Sequence, residues 1–510
     1  MLSKGPRDRL LAAGWRSRLV WLVLVAVTIG GIVYAGQSAM AATQNPAVGL
    51  PNVSTPADAQ GWLTTPDHAR FAQRLDPHAI TDHPSPGGIN LRIDPSRRYQ
   101  RIVGFGAALT ASSAQLLHRL PTVQQTAALD TLFRPGTGAG ITVLRVVIGA
   151  SDFAPNAYTY DDLPPGQTDP TLAQFSIAHD RATILPILRQ ALAINPRLTI
   201  LATPWSAPAW MKTTGSLNGG TLARANYGAY AKYFVRFVKA YAAAGVPVTA
   251  ISVQNEPQHT ASDYPTMSLT AEQETAFVAD YLGPAMAHAD LARVKIIGYD
   301  QNWAKTSYPI KLLHSAASPY VYGTAFHCYA GAPTAQTTVH NAAPQKAIWF
   351  TECSGGGWAP NYASNLGWNT HKLLIGALRN WAQTILYWNI ALAPNGGPHH
   401  GGCADCRGVL TIGANDTVTK NVEFAELAQA SSAAPAGAIR VQSPASVRGI
   451  ETVAFVNPNR SRAIIIDNTQ RQSRTVNVTD GSGKHVSAVV PGGATLSLRW
   501  SDAGPTGGAS

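Results

Sequence analysis

Charged residues are scarce in this chain. Only 13% of its 510 residues are Asp, Glu, Lys or Arg, which argues against a coiled coil or a disordered chain. Lys and Arg form no block with interleaved aromatic residues, so nucleic acid is a poor candidate partner despite the formal net charge of +11. The sequence also lacks internal repeats. Its 45% hydrophobic content, 45 glycines and 35 prolines are typical of a loop-rich globular enzyme with one large and one smaller domain.

The N-terminus has the three parts of a secretory signal peptide. An apolar run from Leu19 to about Ala35 leads to Ser38-Ala39-Met40-Ala41, where small residues occupy the positions that a signal peptidase reads. The basic residues ahead of this run are Lys4, Arg7, Arg9, Arg16 and Arg18. We therefore expect a signal peptide over 1–41 and export, with an uncleaved membrane anchor as the alternative. Residues 42–60 are predicted to be a flexible lead-in and 501–510 a disordered tail.

Cysteine is also rare, with four residues in the chain. Cys403 and Cys406 form a Cys-x-x-Cys motif that follows His399 and His400, so a zinc site has to be considered. In an exported protein, closely spaced cysteines more often pair, and we expect a disulfide between Cys403 and Cys406. Zinc and free thiols remain the alternatives, and the sequence does not assign a state to Cys328 and Cys353.

Between residues 101 and 430, apolar runs rich in β-forming residues alternate with helical stretches, which is typical of parallel βα units. The clearest helix begins at Tyr227, where apolar residues recur at intervals of three and four, and Gly245 lies just beyond it. The eight apolar runs are Ile102–Gly106, Thr142–Ile148, Leu198–Thr203, Val248–Val253, Val294–Gly298, Val321–Phe326, Ala347–Phe350 and Thr384–Trp388. This number and spacing predict an α/β fold of the (β/α)8 TIM barrel type.

After about residue 436 the helical period disappears, and short alternating runs are separated by turn residues. This pattern predicts an antiparallel β-sandwich over 436–500. Strand signals near Trp62–Thr65 and Ile89–Ile93 are expected to complete it, so residues 61–100 would supply its N-terminal strands. The C-terminal runs are Ile450–Val456, Ala463–Asp467, Thr475–Val478, Val486–Val490 and Ala494–Leu498.

Two glutamates end otherwise apolar strands of the predicted barrel. Glu256 follows the fourth run and Glu352 follows the seventh. A single strand-end glutamate is more often a surface or salt-bridged residue. Two of them at the C-terminal mouth of one barrel suit cleavage of a glycosidic bond, which needs one group to protonate the leaving oxygen and another to stabilise the anomeric centre. Trp205 and Trp388, at the ends of the third and eighth runs, offer flat faces for a sugar, although each alone could be packing.

Two segments carry a specific resemblance. Ser252-Val253-Gln254-Asn255-Glu256-Pro257 resembles the acid/base motif of clan A retaining glycosidases, and Trp349-Phe350-Thr351-Glu352-Cys353 resembles their nucleophile segment. From about Trp62 to Trp500 the chain is similar to glycoside hydrolase family 30, the family of lysosomal acid β-glucosidase. The other segments that carry the likeness are Gly104–Thr110, Leu144–Val146, Ala150–Phe153, Thr203–Thr213, Tyr387–Leu392 and Ala454–Asp467.

The resemblance implies a role for nine residues. Glu352 would be the nucleophile and Glu256 the acid/base, while the positive charge of Arg145 would support the nucleophile carboxylate. The residues it implies for substrate binding are Asp152, Trp205, Asn255, His327, Tyr329 and Trp388. Two departures from the family pattern occur. Ala111 stands where relatives often have Asp, and Gly396–Cys406 resembles bacterial members and is expected to border the leaving-group side.

The implied activity is that of a retaining β-glycosidase that uses no cofactor. Its substrate would be a β-linked glycoside, oligosaccharide or glycolipid, and within these we favour a glucosylceramide-like glycolipid or a β-1,6-glucan. The alternatives are a β-xylosidase, xylanase or β-1,6-galactanase, and, in another class, a carbohydrate-binding surface protein without catalysis. Binding alone requires no acid/base pair, so the presence of both Glu256 and Glu352 argues against the last alternative. No obligate protein partner is evident.

Overall fold

The computed structural model of the protein describes residues 58–501. The expected signal peptide at 1–41, residues 42–57 of the lead-in and residues 502–510 of the tail lie outside this range. No helix within it combines the length and apolarity needed to cross a membrane.

Strands and helices alternate through the middle of the chain, whereas its two ends are built of strands. The strands are β1 (Gln60–Thr64), β2 (Gln73–Arg74), β3 (Ile80–Thr81), β4 (Ile89–Arg92), β5 (Asp94–Arg101), β6 (Gly104–Leu109), β7 (Val143–Ile148), β8 (Thr199–Pro204), β9 (Ala250–Ser252), β10 (Lys295–Asn302), β11 (Val321–His327), β12 (Ala347–Glu352), β13 (Gly355–Gly356), β14 (Thr384–Asn389), β15 (Ala391–Leu392), β16 (Cys406–Arg407), β17 (Leu410–Ile412), β18 (Val418–Lys420), β19 (Ile439–Gln442), β20 (Ser446–Val447), β21 (Ile450–Val456), β22 (Arg462–Asn468), β23 (Arg474–Thr479), β24 (His485–Val490) and β25 (Thr495–Trp500). The α-helices are α1 (Ala111–Arg119), α2 (Thr122–Phe133), α3 (Ile184–Ile194), α4 (Tyr227–Ala243), α5 (Ala271–Phe277), α6 (Gly283–His288), α7 (Ser307–Leu313), α8 (Thr334–Ala342), α9 (Tyr362–Asn369) and α10 (Val422–Ala433).

Short helical segments of other types complete these elements. Two of them are π-helical turns that follow α5 and α9 directly. The 3₁₀ turns are Ala178–Asp180, Ala209–Met211 and Arg224–Asn226, and the π-helical turns are Val278–Leu282 and Thr370–Ala377. The predicted helix is α4, and Gly245 follows it with φ +83°, a left-handed conformation that glycine adopts without strain at a helix end.

Eight parallel strands form the predicted barrel in the order β12-β11-β10-β9-β8-β7-β6-β14. The seam between β12 and β14 is closed by the Gln383 amide, which donates to the Ile348 carbonyl at 2.8 Å, and by the Thr384 hydroxyl, which bridges to Phe350. Apolar side chains from all the strands except β6 fill the interior, so the barrel is a packed core. The prediction of a TIM barrel is confirmed.

The sandwich is also confirmed, and the N-terminal strands belong to it. Its larger sheet runs β2-β1-β25-β22-β21-β19-β5, with β20 pairing on β21, and its smaller sheet runs β3-β24-β23-β4. In the larger sheet, β1 is antiparallel to β25, while in the smaller sheet β4 is parallel to β23. Gln429 of α10 ties the two domains together, because its side chain donates to the carbonyls of Trp62 and Thr495 at 3.0 and 2.9 Å.

The fifth barrel strand differs from its prediction. The apolar run ends at Gly298, but β10 continues to Asn302 through an irregularity in its pairing with β11 between Gly298 and Gln301. At this bulge Tyr299 and Asp300 have φ of 70° and 48°, in the left-handed region. The extension carries a buried aspartate, Asp300, into the C-terminal mouth of the barrel.

Candidate active site

A cavity of about 320 Å³ opens at the C-terminal ends of the barrel strands. The two glutamates singled out from the sequence lie in its wall, on strands that are not neighbours. Its lining residues are Asp152, Trp205, Asn255, Glu256, Tyr264, Tyr329, Glu352, Ser354, Trp358, Trp388, Gly402, Cys403 and Cys406. The barrel thus brings most of the predicted site residues together, from segments as far apart in sequence as 152 and 388.

Glu352 ends β12 and is buried, with its residue 5% exposed. One carboxylate oxygen forms an ion pair with Arg145, and the other accepts a hydrogen bond from the Tyr329 hydroxyl at 2.9 Å. Arg145 lies on β7 and is fully buried. Both carboxylate oxygens are therefore held, which fixes the position of the group that faces the cavity.

Arg145 contacts more than the glutamate. Its Nη2 donates to Oδ1 of Asn255 at 2.7 Å and to Oδ2 of Asp300 at 2.9 Å. The guanidinium also lies 4.9 Å from the ring centre of Trp205 and 5.7 Å from that of Trp388. One buried cation thus links the nucleophile candidate, the amide beside Glu256 and both tryptophans.

Asp300 is a functional residue that the sequence analysis missed. It is fully buried and accepts four hydrogen bonds, two of them from charged groups. Its donors are Arg145 at 2.9 Å, Ser252 at 2.7 Å, His327 at 3.1 Å and Thr351 at 2.6 Å. Burial alone would raise the pKa of this carboxyl, but the charge of Arg145 and the hydrogen bond from His327 outweigh it and hold the pKa well below its usual range.

Glu256 follows β9 and has φ of 44°, a left-handed conformation that is uncommon for a residue with a side chain. Its backbone amide donates to the carbonyl of Asp300 at 3.0 Å, and its Oε1 lies 3.0 Å from Nδ1 of His327. The side chain keeps 16% exposure, so it reaches the cavity from a conformation held by its neighbours. Backbone strain of this kind is concentrated at functional sites.

His327 is fully buried and does not line the cavity, so it lies behind the cavity wall. Its ring forms hydrogen bonds with two carboxylates. Nδ1 faces Glu256, and Nε2 lies 3.1 Å from Asp300. Burial would lower the pKa of the imidazole, but the charge of Glu352 and the hydrogen bonds to Asp300 and Glu256 raise it to about 9. At neutral pH both ring nitrogens therefore carry protons and donate.

The same imidazole bears on metal binding. Ligand atoms of Glu256, His327 and Glu352 all lie within 4.8 Å of one another, which is a spacing that could hold a cation. A metal ligand must offer a free lone pair on nitrogen, and a histidine that donates from both nitrogens has none. Arg145 already pairs with Glu352. This donor set fits a hydrogen-bonded acid/base pair better than a metal centre.

Asp152 also lines the cavity and is buried. Burial and the nearby charge of Glu352 raise the pKa of its carboxyl from 3.8 to about 7. Near neutral pH about half of the Asp152 carboxyls are protonated and half are ionised. The protonated form can donate a hydrogen bond to a sugar hydroxyl, and the ionised form can accept one.

The two predicted tryptophans form a packed wall. Trp205 and Trp388 stack on each other with ring centres 4.9 Å apart, and they are 3% and 4% exposed. Tyr264 and Trp358 also line the cavity, and the sequence analysis did not single them out. Both lie in loops after strand ends, where no periodic pattern marks them.

The four cysteines form two disulfides, Cys403–Cys406 as expected and Cys328–Cys353. Cys328 follows β11 and Cys353 follows β12, so the second bond joins the ends of the strands that carry His327 and Glu352. No pattern in the sequence could reveal this pairing, because it depends on the two strands being neighbours in the barrel.

The loop 396–406, which the resemblance placed at the leaving-group side, lines the cavity through Gly402, Cys403 and Cys406. The amide of His400 donates to the Asp152 carbonyl at 2.6 Å, and Gly402 packs so closely on Asp152 that a side chain at this position would overlap it. The Gly402 amide also donates to Asp263 at 3.1 Å. The other end of the loop lies beside Trp358, because Cys406 pairs with Gly356 and the Gly357 amide donates to the Asp405 carbonyl at 2.8 Å.

Known proteins resemble this chain over both domains. Residues 102–433 match the model of the glycosyl hydrolase family 30 TIM-barrel domain, and residues 437–498 match that of the family 30 β-sandwich domain. An endo-1,6-β-D-glucanase of Aspergillus fumigatus is 36% identical, over 77% of this chain and 83% of its own length. The lysosomal acid glucosylceramidase of Mus musculus is 28% identical, over 81% and 84%. In a solved structure, the endo-β-1,6-glucanase BT3312 superposes with a TM-score of 0.81 and 30% identity, over 88% of this chain and all of that one.

Proposed function

The chain belongs to glycoside hydrolase family 30, and from this membership we propose that it hydrolyses β-1,6-linked glucan by double displacement. It is a glycoside hydrolase that acts on β-glucosidic bonds.

The spacing of the two glutamates supports retention and is the main observation behind the mechanism. A carboxylate oxygen of Glu256 lies within 4.8 Å of one of Glu352. Retaining enzymes separate their carboxyl groups by about 5–5.5 Å, whereas inverting enzymes need roughly 6.5–9.5 Å to admit a water molecule. The cavity therefore has room for attack by a carboxylate and too little for a water molecule placed between the two groups.

In the first step Glu352 attacks the anomeric carbon, and Glu256 gives its proton to the oxygen that leaves. Arg145 and Tyr329 hold the Glu352 oxygens during the attack. Oε1 of Glu256 is bonded to His327, which leaves Oε2 for the leaving oxygen. The products of this step are a glucosyl ester of Glu352 and the freed alcohol.

In the second step water replaces the leaving group. The Glu256 carboxylate removes a proton from the water as it attacks the same carbon, and the bond to Glu352 breaks. The imidazolium of His327 stabilises the carboxylate that Glu256 becomes between the two steps. The sugar is then released with its original anomeric configuration, and both glutamates return to their starting forms.

The sugar itself would be held by the groups that surround the two carboxylates. Asn255, fixed by Arg145, is positioned beside Glu256 to bind the hydroxyl next to the anomeric carbon. Asp152 would bind another hydroxyl, with Trp205 and Trp388 as the apolar side of the pocket. Tyr329 would contact the ring through the hydroxyl it directs at Glu352, while His327 acts from behind Glu256.

Sequence identity supports β-1,6-glucan as the substrate. Three fungal endo-1,6-β-glucanases are 33–36% identical to this chain, whereas the glucosylceramidases are 28–30% identical. The xylanase structures, at 18–21% identity, share the fold alone. A glucosylceramide-like glycolipid is the second candidate, because it carries the same β-glucosyl group.

We also propose that the protein works outside the cytoplasm. The expected signal peptide at 1–41 supports this, and so do two disulfides, which form and persist in oxidising compartments. N-terminal sequencing of the protein recovered from the culture medium would begin near residue 42. A cell-bound protein that still contains Leu19 would support the membrane anchor instead.

The substrate proposal is tested by assaying one preparation on four substrates. Reducing sugar released from β-1,6-glucan should exceed that from xylan, β-1,6-galactan and vesicles of glucosylceramide by at least tenfold at equal mass. The Glu352→Gln variant, assayed in the same way, gives the background release of reducing sugar. A preference for glucosylceramide would replace the proposed substrate with the glycolipid, and a preference for xylan would contradict both.

A further inference from the structure

Lys212 is a buried lysine to which the proposed mechanism gives no role. It lies in the segment Thr203–Thr213, which carries part of the family likeness, and its residue is 5% exposed. No carboxylate among the described residues 58–501 pairs with it, and burial lowers the pKa of its ammonium from 10.5 to about 7. Lysine is almost never buried unless it is paired, so the contacts of this ammonium call for an explanation.

The ammonium forms three hydrogen bonds, and every acceptor is neutral. Nζ donates to the Ser206 hydroxyl at 2.8 Å and to the carbonyls of Leu217 and Thr266 at 2.7 and 2.8 Å. The Ser206 hydroxyl gives its own proton to the Ala207 carbonyl at 2.9 Å, so it can only accept from Lys212. All three N–H groups of the ammonium are therefore used, and these bonds offset the cost of burying the charge.

The three acceptors belong to three separate segments at the C-terminal mouth of the barrel. Ser206 comes directly after Trp205, beyond the end of β8. Leu217 lies in the loop that leads from β8 to α4. Thr266 lies in the loop between β9 and α5. A single side chain thus ties together the loops that follow two neighbouring strands of the barrel.

The loop between β9 and α5 forms part of the cavity wall. Tyr264, two residues before Thr266, lines the cavity and packs against the apolar group that includes Trp205. Asp263 accepts from the Gly402 amide at 3.1 Å, which joins this loop to another part of the wall. The lysine bond to the Thr266 carbonyl is therefore an anchor of the loop close to Tyr264.

The two catalytic glutamates are held by a different set of contacts. Arg145 and Tyr329 form hydrogen bonds with Glu352. His327 forms one with Glu256. The three hydrogen bonds of the lysine go to none of these residues. Loss of its ammonium should therefore disturb sugar binding more than the chemistry of bond cleavage.

We propose that Lys212 is a positioning residue that sets Trp205 and Tyr264 in the cavity wall, by tying together the loops that follow β8 and β9. A neutral side chain of similar length would fill the space but leave the loops untied, so the two aromatic rings would shift while the glutamates stayed in place. The role rests on the proposed function only in the choice of β-1,6-glucan as substrate, because any β-glucoside would meet the same wall.

The test replaces Lys212 by methionine, which has a similar length and donates no hydrogen bond. In Lys212→Met we expect KM for β-1,6-glucan to rise about tenfold, which corresponds to the loss of one hydrogen bond. kcat should change by less than about threefold, because the glutamates keep their contacts. Lys346→Met is the matched control and should leave KM unchanged. Nζ of Lys346 also donates to two carbonyls, those of Ser318 and Val321, but at the N-terminal end of β12.

A double-mutant cycle shows whether Lys212 acts through Tyr264. Tyr264→Ala should raise KM by itself. The double variant Lys212→Met/Tyr264→Ala should raise KM little beyond the larger of the two single effects, because the ring is already displaced in Lys212→Met. If the two effects multiply instead, the residues act independently and the proposal is overturned.

Urea unfolding of each variant separates positioning from a general loss of structure. A protein that is only partly folded loses apparent kcat and keeps its KM, so that pattern in Lys212→Met would overturn the proposal, and so would a folded variant with the wild-type KM. Should Lys212→Met fail to fold, Ser206→Ala carries the same prediction with a smaller rise in KM, because it removes one acceptor of three. No rise in that variant would then overturn the proposal.

Failure of the proposed function gives a different result. A wild-type enzyme that does not hydrolyse β-1,6-glucan contradicts the proposed substrate, whatever the variants do. The same variants are then compared on an aryl β-glucoside, where the rise in KM of Lys212→Met tests the positioning role alone.

Discussion

The backbone amide of Glu256 donates to the carbonyl of Asp300 at 3.0 Å, and both residues have left-handed backbone, with φ of 44° and 48°. Glu256 follows β9 and Asp300 lies at the bulge of β10, so this hydrogen bond joins two neighbouring strands of the barrel. Such strain costs on the order of 1–3 kcal/mol per residue and persists only where the surroundings enforce it. Here the bulge of β10 supplies the carbonyl that holds Glu256 in the cavity wall.

Asp300 should therefore act as a positioning residue. Asp300→Asn removes the charge that pairs with Arg145 and His327 while keeping the size of the side chain. We expect kcat to fall about 10- to 100-fold with a smaller change in KM, because misplaced groups slow the reaction more than they weaken binding. The pKa of His327, measured by NMR, should fall from about 9, since one of its carboxylate partners is lost. An unchanged imidazole pKa together with a normal kcat would contradict this role.

Glu352→Gln should abolish turnover and leave the fold intact. The amide cannot form the glucosyl ester, so kcat should fall by at least about 10³-fold. Glu272→Gln is the control, because Glu272 is an exposed residue that pairs with Lys311 on the surface. Rates are measured on an aryl β-glucoside, and circular dichroism checks the fold. Near-normal turnover in Glu352→Gln would exclude it as the nucleophile.

Asp152 should make the protein less stable as the pH rises. Its folded-state pKa is about 7 and its ordinary value is 3.8, so between about pH 4 and 7 the unfolded chain releases a proton that the folded chain keeps. Stability falls across this window, and the loss is complete above about pH 7. Asp152→Asn should match the wild type at pH 4 and exceed it at pH 8, by at most about 4 kcal/mol. Urea unfolding at both pH values checks this, with the exposed Asp76→Asn as control.

The Cys328–Cys353 disulfide should stabilise the site as well as the fold. It closes a loop of 25 residues and joins the strand ends beside Tyr329 and Glu352. In Cys328→Ser/Cys353→Ser we expect a stability loss of about 3 kcal/mol and a lower kcat. Cys403→Ser/Cys406→Ser should mainly raise KM, because its loop packs on Asp152. If the two double variants changed kcat and KM to the same extent, the two disulfides would not have these separate roles.

The sequence was enough to predict those site residues that are marked by their immediate neighbours in the chain. Glu256 and Glu352 end apolar runs, and barrel strands place such residues at one mouth, so the pair could be predicted before any distance was known. The strands of the sandwich could also be predicted, because each strand shows alternating apolar and polar residues on its own. This holds even for partners such as β1 and β25, which lie more than 400 residues apart.

What could not be predicted depends on contacts between distant strands. Asp300 follows a bulge, so the apolar run stops at Gly298 and gives no sign that β10 continues. The charge of the buried Asp300 is compensated by an ion pair with Arg145 of β7, which lies three strands away in the barrel. The position of the loop 396–406 is set in the same way, by its hydrogen bonds with Asp152, Asp263 and Gly357.

The stereochemistry of the product tests the two-glutamate mechanism most directly. A carboxylate oxygen of Glu256 lies within 4.8 Å of one of Glu352, which is too close for a water molecule to attack from between them. Glu352 must then attack the anomeric carbon itself, and water follows from the side that the leaving group vacated. Two inversions at one carbon give net retention, so the first sugar formed should be the β-anomer. Proton NMR of a fresh reaction, recorded before mutarotation, reads the anomer directly. An initial α-anomer would rule out this mechanism even if both glutamates proved essential, because only a single displacement by water produces it.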